Sequence, residues 1–278
     1  MKSNISDKPK VTSCVVLMTA TITPPKEALY LKRIDPNQRE NDYAEALKYY
    51  LSIPEQYVSK IIFAENSNSD LSRLKKLVND TPHNKTVEFI EYRDGNNFPP
   101  YYGRGYGELK LIDYAVDNSK ILTEEDVIWK VTGRYKLLNI IKLIKTQPKK
   151  FSIYCELMKY KINAADTRAY AFTLQGYRRY LYNKYHRLKL KDELNSPKNI
   201  MKSEVGWFSL IYANIRNELM IGAVETNFDE LIFPRFKYVP YFEGFMAGSK
   251  NRTFASVGQK KRYIWRSLFR KIFPGIWV

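Results

Sequence analysis

The stretch Tyr102–Tyr135, YGRGYGELKLIDYAVDNSKILTEEDVIWKVTGRY, decides how the fold of this chain is interpreted. Three glycines at its start precede a helix-like run, Glu108–Val116, and an apolar strand, Val127–Val131, follows after a polar break. A Gly-rich turn that enters a helix can direct backbone N–H groups towards an anion. A strand that carries Lys130 and is followed by Arg134 adds positive charge beside it. The same pattern also fits a simple helix entry followed by a core strand with a polar end.

The alternation of strand and helix extends on both sides of this stretch. Buried-type strands are predicted at Val11–Ala20, Lys60–Ala64 and Thr86–Tyr92, with helical patterns between them. Strands repeated with a helix between each pair predict an α/β fold with a mostly parallel, doubly wound sheet and helices on both faces.

The second half of the chain is less regular. We predict a basic helix-like segment at residues 136–146, a strand at Phe151–Leu157, and an aromatic-rich helix that begins at Ala169. A helix at Met201–Leu219 and a strand at Phe228–Tyr238 are predicted after it.

Composition restricts the class of protein. The 278 residues include 46 Lys and Arg against 29 Asp and Glu, a net charge of +17, which indicates anionic partners. Cys14 and Cys155 lie on apolar runs without metal-site spacing, so we expect buried thiols in a reducing compartment. No secretory signal and no apolar run long enough to cross a bilayer is visible, so we expect a cytoplasmic protein. The absence of a P-loop, of a G-x-S-x-G elbow and of more than two histidines disfavours P-loop nucleotidase, serine hydrolase and His-metal chemistry.

Polar side chains follow the predicted strands at the point where each strand ends. In a parallel sheet these ends meet at one edge, where α/β folds bind their ligands. The residues concerned are Thr19, Thr21, Thr23, Glu65, Asn66, Asp94, Lys130 and Arg134. Arg33, Asp35 and Arg39 form a further charged group before the first helix, which also fits a solvated helix entrance.

Hydroxyls, carboxylates, an amide and guanidiniums at one edge suit a substrate with a diphosphate and several hydroxyls, such as a nucleotide-sugar. Sugar transfer needs stabilisation of the leaving diphosphate and, if configuration inverts, a carboxylate that deprotonates the acceptor hydroxyl. Metal-dependent transferases hold Mg²⁺ or Mn²⁺ with an Asp-x-Asp pair. This sequence has no Asp-x-Asp, so no metal ligand is assigned. Because Lys130 and Arg134 could neutralise the diphosphate instead, we predict metal-independent transfer, with Mg²⁺ or Mn²⁺ as an open possibility.

The last residues have a different character, and we separate a domain at 1–258 from a basic amphipathic tail at 259–278. On a helical wheel, Trp265 and Phe269 fall on an apolar half and Arg266 and Arg270 on a basic half. This pattern is typical of a helix in an anionic membrane interface, and Trp265 and Trp277 suit the headgroup level. A C-terminal helix packed on the domain with exposed charges is the alternative.

Seven segments together resemble a family of bacterial surface-polysaccharide glycosyltransferases, which build capsule, O-antigen or lipopolysaccharide. They are TATITPP, RIDPNQRENDYAEALKYY, IIFAENSNSDLSRL, GRGYGELKLIDYA, IWKVTGRYK, ADTRAYAFT and the region around Glu204, in order from about residue 17 to about residue 210. The resemblance implies a GT-A-like α/β domain, a nucleotide-sugar donor, and a lipid-linked glycan or lipopolysaccharide acceptor at the inner face of the cell membrane.

The resemblance also implies roles for residues inside these segments. Asp166 is the expected general base, with Glu204 and Glu108 as rivals, and Arg168 would face the acceptor or the transferred sugar. Glu204 equally fits a charge in the first turn of a helix, where it favours the helix dipole. The donor would be bound by Thr19, Thr21, Arg33, Asp35, Glu65, Asn66, Asp70, Gly105, Gly107, Lys130, Gly133 and Arg134.

Two other classes of protein remain open at this point. A nucleic-acid-binding protein would use the net charge and the 22 Tyr and 14 Phe, but carboxylates at the strand ends would repel phosphates, so we expect no nucleic-acid partner. A non-catalytic scaffold on the membrane would keep the fold and be indifferent to changes at Asp166 and Arg134.

Overall fold

The structure is a computed structural model, and it describes residues 13–25, 31–93, 95–99, 102–158, 164–188, 235–245 and 257–273. Several predictions lie outside these residues: the strand end at Asp94, the helix at Met201–Leu219 with Glu204, the first part of the strand at Phe228–Tyr238, and Trp277.

The described helices and strands follow the predicted alternation through the first half of the chain. In chain order they are β1 (Cys14–Ala20), α1 (Pro36–Leu51), β2 (Val58–Glu65), α2 (Ser72–Asp80), β3 (Thr86–Glu91), α3 (Gly103–Asn118), β4 (Val127–Thr132), β5 (Lys136–Leu137), α4 (Ile140–Ile144), β6 (Ile153–Met158), β7 (Ala164–Thr173), α5 (Leu174–Tyr180), β8 (Phe242–Glu243) and α6 (Val257–Ile272).

Six strands form one sheet in the order β3-β2-β1-β4-β7-β6, and β5 pairs with β8 in a separate ribbon. The strands β1 to β4 are parallel to one another, while β7 runs antiparallel between β4 and β6. Val131 of β4 is paired with Ala169 of β7, so Arg168 reaches the level at which β4 ends. The carboxyl ends of β1 to β4 and the start of β7 therefore meet at one end of the sheet, which we call the carboxyl edge.

Each face of the sheet carries its own hydrophobic core, because alternate residues of a strand point to opposite faces. Val16 and Met18 of β1 belong to the core that α1, α2 and α4 cover. Val15 and Leu17 of the same strand belong to the core that α3 and α5 cover. All seven residues of β1 are buried, as expected for a central parallel strand. The predicted α/β fold, with a mostly parallel, doubly wound sheet and helices on both faces, is confirmed, and so is a C-terminal amphipathic helix.

Three local predictions are wrong. The three glycines at 103–107 are not a turn before a helix but the first turns of α3 itself. The aromatic stretch that begins at Ala169 continues β7 to Thr173, and its helical parts are the α-helix Leu174–Tyr180 and a short 3₁₀ helix at Tyr185–Leu188. The segment Lys136–Leu137 is a strand, and the helix after it is limited to Ile140–Ile144.

The second part of the strand predicted at Phe228–Tyr238 is also absent. Among the residues described there, Arg235 forms a single bridge to Cys155 and the chain then continues without regular structure until β8.

None of the helices in the described parts of the chain is long and apolar enough to cross a membrane.

Candidate functional site

The middle of the carboxyl edge is occupied by a hydrogen-bonded group of Thr19, Glu108, Lys130 and Thr132, which we call the central cluster. Lys130 Nζ donates to Glu108 Oε1 at 2.6 Å and to the carbonyl oxygen of Thr167 at 2.7 Å. Thr19 Oγ1 donates to the same carboxylate oxygen at 2.9 Å. The Lys130 side chain is fully buried, whereas a quarter of the Glu108 side chain is exposed (24%). The cluster thus fixes Glu108 from inside the protein and leaves its carboxylate within reach of a ligand.

The charge of Lys130 depends on its partner. Burial lowers the pKa of Lys130, while the carboxylates of Glu108 and Asp166 act in the opposite direction. A buried ammonium without a counter-charge is costly, so the Glu108 carboxylate stabilises the charged form of Lys130 against the effect of burial. The lysine and the carboxylate therefore act as a pair beneath the edge.

Glu65 and Asn66 organise the loop that follows β1. Glu65 is buried and accepts hydrogen bonds from the backbone N–H of Ile22 at 3.0 Å and of Ser67 at 2.8 Å. Asn66 Oδ1 accepts a hydrogen bond from Thr21 Oγ1 at 2.7 Å. Glu65 thus links the ends of β1 and β2. Because its carboxylate accepts from backbone N–H groups, Glu65 fixes the conformation of the loop that follows β1.

Beside this loop, three guanidiniums surround Asp42, and we call Arg33, Arg39, Arg134 and Asp42 the first arginine cluster. Arg33 binds Asp42 through two hydrogen bonds of 2.5 and 2.7 Å, and Arg134 Nη1 lies 3.9 Å from the same carboxylate. Arg39 Nε donates to the carbonyl oxygen of Thr21 at 2.8 Å. Burial and the nearby Arg134 charge lower the pKa of Arg39, with Tyr43 and Asp42 opposing them. Among the described residues, the Asp42 carboxylate is shared between Arg33 and Arg134.

Gly133 brings Arg134 into this position. The Gly133 N–H donates to the carbonyl oxygen of Thr19 at 2.9 Å, and a Cβ at Gly133 would lie 2.7 Å from that oxygen. Only glycine lets the chain after β4 approach β1 so closely. The Arg134 side chain is buried, and its Nε has no hydrogen-bond partner among the described residues.

On the other side of the central cluster, Asp166 and Arg168 of β7 form an ion pair. Arg168 Nε donates to both oxygens of Asp166, at 2.8 and 3.1 Å, and the guanidinium lies 4.4 Å from the centre of the Phe242 ring. Burial alone would raise the pKa of Asp166, but the charge and hydrogen bonds of Arg168 outweigh it, and the pKa is lowered. Asp166 is therefore ionised at neutral pH and has a weak affinity for a proton.

A second arginine cluster, Glu156 with Arg235, Arg266 and Arg270, lies next to this pair. Arg266 Nη2 donates to Glu156 Oε1 at 2.9 Å, and Arg270 Nη1 donates to Glu156 Oε2 at 3.0 Å. Glu156 is completely buried. Burial raises the pKa of Glu156, and the three arginines oppose that rise.

The second cluster corrects the prediction for the C-terminal helix. Arg266 and Arg270 were expected on the basic half of the helix at an anionic membrane interface, but they contact the buried carboxylate of Glu156 within the domain. The exposed surface of α6 includes large apolar side chains, with Trp265 at 73% and Ile272 at 67% exposure, beside the exposed basic residues Lys260, Lys261, Arg262 and Lys271. Phe269 is half-buried and packs against Phe273.

Four predicted donor residues have local structural contacts. Asp35 caps α1 by accepting from the Gln38 N–H at 2.8 Å, and exposed Asp70 accepts from the N–H of Ser72 at 2.9 Å just before α2. Hydrogen bonds from Ser72 lower the pKa of Asp70. Gly105 and Gly107 lie within α3, where a Cβ at Gly107 would meet the Phe98 ring at 2.6 Å. Their expected contribution to donor binding remains a prediction.

Sequence reasoning missed Asp42, Glu156 and Arg235, and it offered a solvated helix entrance as an alternative for Arg39, which is buried. A signal was present for the two carboxylates. Asp42 falls on the buried face of α1 beside Tyr43, and Glu156 interrupts an otherwise apolar strand. A buried charge requires a partner, so a carboxylate inside an apolar pattern predicts an ion pair even when its partner is not evident.

The possibility of a metal ion can be tested against the donor set. In the parts of the chain that the structure covers, no group of three or more His, Cys, Asp or Glu could hold a metal ion.

Comparison with known proteins assigns no family. No family model and no curated protein matches the sequence. Among solved structures, HddC from Yersinia pseudotuberculosis is 13% identical with a TM-score of 0.45, covering 91% of this chain and 99% of its own. The inositol-1-phosphate CTP transferase from T. maritima is 12% identical with a TM-score of 0.43, covering 95% and 97%.

The galactosyltransferase LgtC, in complex with donor and acceptor sugar analogues, is 10% identical with a TM-score of 0.38. The match covers 68% of this chain and 69% of LgtC. Similarities this weak leave the function of the chain to be argued from its own residues.

Proposed function

We propose that the chain is a GT-A-like glycosyltransferase that moves a sugar from a nucleotide-sugar to a lipid-linked glycan or lipopolysaccharide acceptor. One observation carries the proposal: the carboxyl edge includes a lysine-held carboxylate, and two groups of arginines are built around the buried carboxylates Asp42 and Glu156. Grouped guanidiniums suit a diphosphate, and an accessible carboxylate suits the deprotonation of a sugar hydroxyl.

The donor diphosphate would bind at the first arginine cluster. Its guanidiniums come from the loop before α1, from α1 and from the end of β4, and two of them share the Asp42 carboxylate. Preorganised cations stabilise the negative charge that develops on a leaving diphosphate. Arg134 is suited to this role because its Nε has no protein partner among the described residues and because Gly133 holds its backbone against β1. Lys130 would hold Glu108 in place beneath the transferred sugar.

Between the described candidate bases, we favour Glu108 over Asp166. The Asp166 side chain is only 7% exposed, and both of its oxygens are bound by Arg168, which holds its pKa low. A base with low proton affinity is less effective at neutral pH. Glu108 is more exposed, and its Oε1 accepts the contacts from Lys130 and Thr19. In this mechanism Glu108 takes the proton of the acceptor hydroxyl, that hydroxyl attacks the anomeric carbon, and the diphosphate leaves towards the arginines with inversion of configuration.

Substitution tests these roles. Glu108→Gln and Asp166→Asn would be compared for transfer rate and for donor affinity. If Glu108 is the base, Glu108→Gln lowers kcat by about 100-fold or more while the donor Kd changes little. A larger loss of kcat in Asp166→Asn would restore Asp166 as the base. Loss in neither variant would support the non-catalytic scaffold.

Donor binding has a direct test, a thermal-shift screen against nucleoside diphosphates, nucleotide-sugars and nucleoside triphosphates, with and without Mg²⁺ or Mn²⁺. A ligand present at about 100 times its Kd adds about 2.7 kcal/mol to the free energy of unfolding. We expect a shift with one class of nucleotide-sugar that Arg134→Gln abolishes and the surface change Arg178→Gln leaves intact. A shift with nucleoside triphosphates alone would favour nucleotidyl transfer, and a shift with RNA or DNA alone would favour the nucleic-acid alternative.

We also propose that residues 1–258 form the transferase domain and that the tail from 259 binds the inner face of the cell membrane, with the protein otherwise in the cytoplasm. The support is the exposed apolar face of α6, which includes Trp265, Leu268 and Ile272, with exposed Lys261 and Lys271 on the same helix. Aromatic and aliphatic side chains flanked by lysines suit an anionic interface.

Co-sedimentation with phosphatidylglycerol vesicles tests this membrane contact. Trp265→Gln combined with Ile272→Gln should lower the bound fraction several-fold, because each buried side chain contributes about 1.5–3 kcal/mol. Leu138→Gln, an exposed apolar residue outside α6, is the matched control and should bind like the wild type. Equal binding of all three proteins would contradict the proposal.

A further inference from the structure

Residues 236–241, which we call the bridging segment, contact α4 along one side. Asn139 Nδ2, directly before α4, donates to the carbonyl oxygen of Val239 at 2.9 Å. Three residues further on, the ammonium of Lys142 lies 3.9 Å from the centre of the Tyr238 ring. The start and the middle of α4 are therefore both held against the bridging segment.

The C-terminal helix α6 contacts both ends of the same segment. Arg270 Nη1 donates to the carbonyl oxygen of Phe236 at 3.0 Å, and the rings of Tyr263 and Tyr241 stack with their centres 4.4 Å apart. The ring of Phe236 in turn stacks on Trp129, within the core that α4 covers. The helices α4 and α6 are therefore neighbours on the same face of the main sheet.

The outside of α4, the loop after it and the bridging segment carry five exposed lysines, which we call the lysine surface. They are Lys142, Lys145, Lys149, Lys150 and Lys237. Residues 137–150, 235–242 and 257–273, which form α4, the bridging segment and α6 with their flanks, contain no Asp or Glu. Basic side chains therefore continue without an acidic residue from α4 to the exposed Lys261 and Lys271 of α6.

Carboxylates next to the lysine surface are only partly available to it. Glu243 accepts a hydrogen bond from Lys136 Nζ at 3.0 Å. Glu55 is exposed and lies two residues before Tyr57, whose ring centre is 5.1 Å from Lys145 Nζ. One exposed carboxylate beside five exposed lysines leaves a positive potential that an anionic partner can use.

We propose that the lysine surface binds the headgroups of an anionic membrane while α6 inserts its exposed apolar side chains. Lysine ammoniums on long stems reach headgroup phosphates and are attracted by the negative surface potential. The inference rests on the proposed membrane contact of α6 and extends it to α4, which contributes charge only. Contact through both helices turns this face of the main sheet, and not the carboxyl edge, towards the bilayer.

The neighbouring α6 decides between a membrane and a nucleic acid as the partner. Both have phosphates that lysines can bind, but a nucleic-acid backbone offers nothing to cover the exposed side chains of Trp265 and Ile272. A bilayer takes up both kinds of side chain at once, the apolar ones below the headgroups and the lysines among them.

The experiment is co-sedimentation of the full chain with phosphatidylglycerol vesicles. Lys142→Gln combined with Lys145→Gln should weaken binding about tenfold or more, as the loss of two charges at an anionic surface predicts. The matched control, Lys76→Gln combined with Lys120→Gln, removes the same charge from exposed positions on α2 and after α3, and should weaken binding less than about twofold. Lys142→Arg combined with Lys145→Arg keeps the charge and should bind like the wild type.

Equal weakening in the Lys142/Lys145 glutamine variant and in its control overturns the proposal, because net charge alone then explains the result. If the glutamine variant does not fold, Lys149→Gln combined with Lys150→Gln, on the same surface, decides in its place. RNA or DNA binding that depends on Lys142 and Lys145, together with vesicle binding that does not, assigns the lysine surface to nucleic acid and also overturns the proposal.

Trp265→Gln combined with Ile272→Gln, measured beside the lysine variant, separates the two membrane proposals. We expect each variant to bind phosphatidylglycerol vesicles more weakly than the wild type. If only the Trp265/Ile272 variant loses binding, the contact of α6 stands and the lysine surface has no part in it. If only the lysine variant loses binding, the lysine surface binds headgroups and the proposed contact of α6 fails.

Discussion

Asp113 on α3 gives a prediction whose size can be worked from its contacts. Its carboxylate accepts hydrogen bonds from the Tyr177 hydroxyl of α5 and, at 2.9 Å, from the backbone N–H of Asn183. Burial is the largest influence on it and raises the pKa of Asp113 from an ordinary 3.8 to about 6. The difference corresponds to about 3 kcal/mol by which the folded protein disfavours the ionised carboxylate. Because the pKa is higher in the folded state, the protonated Asp113 carboxyl makes its full contribution to stability below about pH 4, and that contribution is lost as the pH rises through 6.

Asp113→Asn removes the ionisation and keeps the shape. The amide oxygen can accept from the Asn183 N–H while the amide nitrogen donates to the Tyr177 oxygen, so both contacts are kept with the direction of the Tyr177 hydrogen bond reversed, as a protonated Asp113 carboxyl would also do. We expect the variant to have a free energy of unfolding about 1–3 kcal/mol higher than the wild type near pH 7.5, and a similar one near pH 4.

Urea denaturation of both proteins at several pH values between about 4 and about 8 measures this difference. Asp117→Asn is the control, since exposed Asp117 also accepts a hydrogen bond from a tyrosine, Tyr182, at 2.6 Å. A difference between wild type and Asp113→Asn that does not grow with pH would refute the reasoning.

Three further predictions concern stability and reactivity. Lys130→Met should lower the free energy of unfolding by about 3 kcal/mol in chemical denaturation, because Glu108 and the Thr167 carbonyl lose a buried donor. The control Lys60→Met, which removes a partly exposed ion pair with Asp126, should lower it by less than about 1 kcal/mol. Equal losses in the two variants would contradict this account. Gly244→Ala should lower the free energy of unfolding by about 2 kcal/mol or more in the same assay, since Gly244 has a φ of 138° and a Cβ there would lie 2.6 Å from the Arg134 carbonyl oxygen. If Gly244→Ala is as stable as Glu243→Ala, the alanine causes no backbone strain at this position. Burial raises the pKa of the Cys14 thiol to about 12 and also raises the pKa of the Cys155 thiol. We therefore expect neither thiol to react with a disulfide reagent until the protein is unfolded. Rapid labelling of the native protein would contradict this expectation.

The sequence was informative where one local pattern had one physical explanation. The apolar runs of β1, β2 and β4 are buried on both faces of a parallel sheet, and such strands are recognisable without their neighbours. The polar residues that end them, among them Thr19 and Lys130, meet at the carboxyl edge as expected from parallel strand order.

Where local patterns have two explanations, the prediction failed or stayed open. The aromatic stretch after Asp166 suits a helix or a strand, and β4 and β6 on either side decide that its first part is β7. Asp35 looks like a ligand-binding residue because capping a helix uses the same side chain, and Asp70 does so because a local hydrogen bond to the backbone before α2 also uses it.

The arginine clusters could not be found from local pattern at all. Glu156 meets Arg266 and Arg270 across more than 100 residues of sequence, and neighbouring residues carry no trace of that contact. Only the buried position of the carboxylate predicts that a partner exists.

The short segment Phe242–Phe245 touches both sides of the site. Arg168 lies over the ring of Phe242 at 4.4 Å, and Arg33, on the proposed donor side, lies over the ring of Phe245 at 4.0 Å. Gly244 between them has a φ of 138°, a backbone conformation that fixes how the two rings are presented. A ligand that draws one arginine away from its ring removes the contact that holds one end of this four-residue segment in place. If donor and acceptor each engage one end, the two substrates are expected to bind in a compulsory order, and initial-rate kinetics of the wild type should show a sequential ordered pattern in place of a random one.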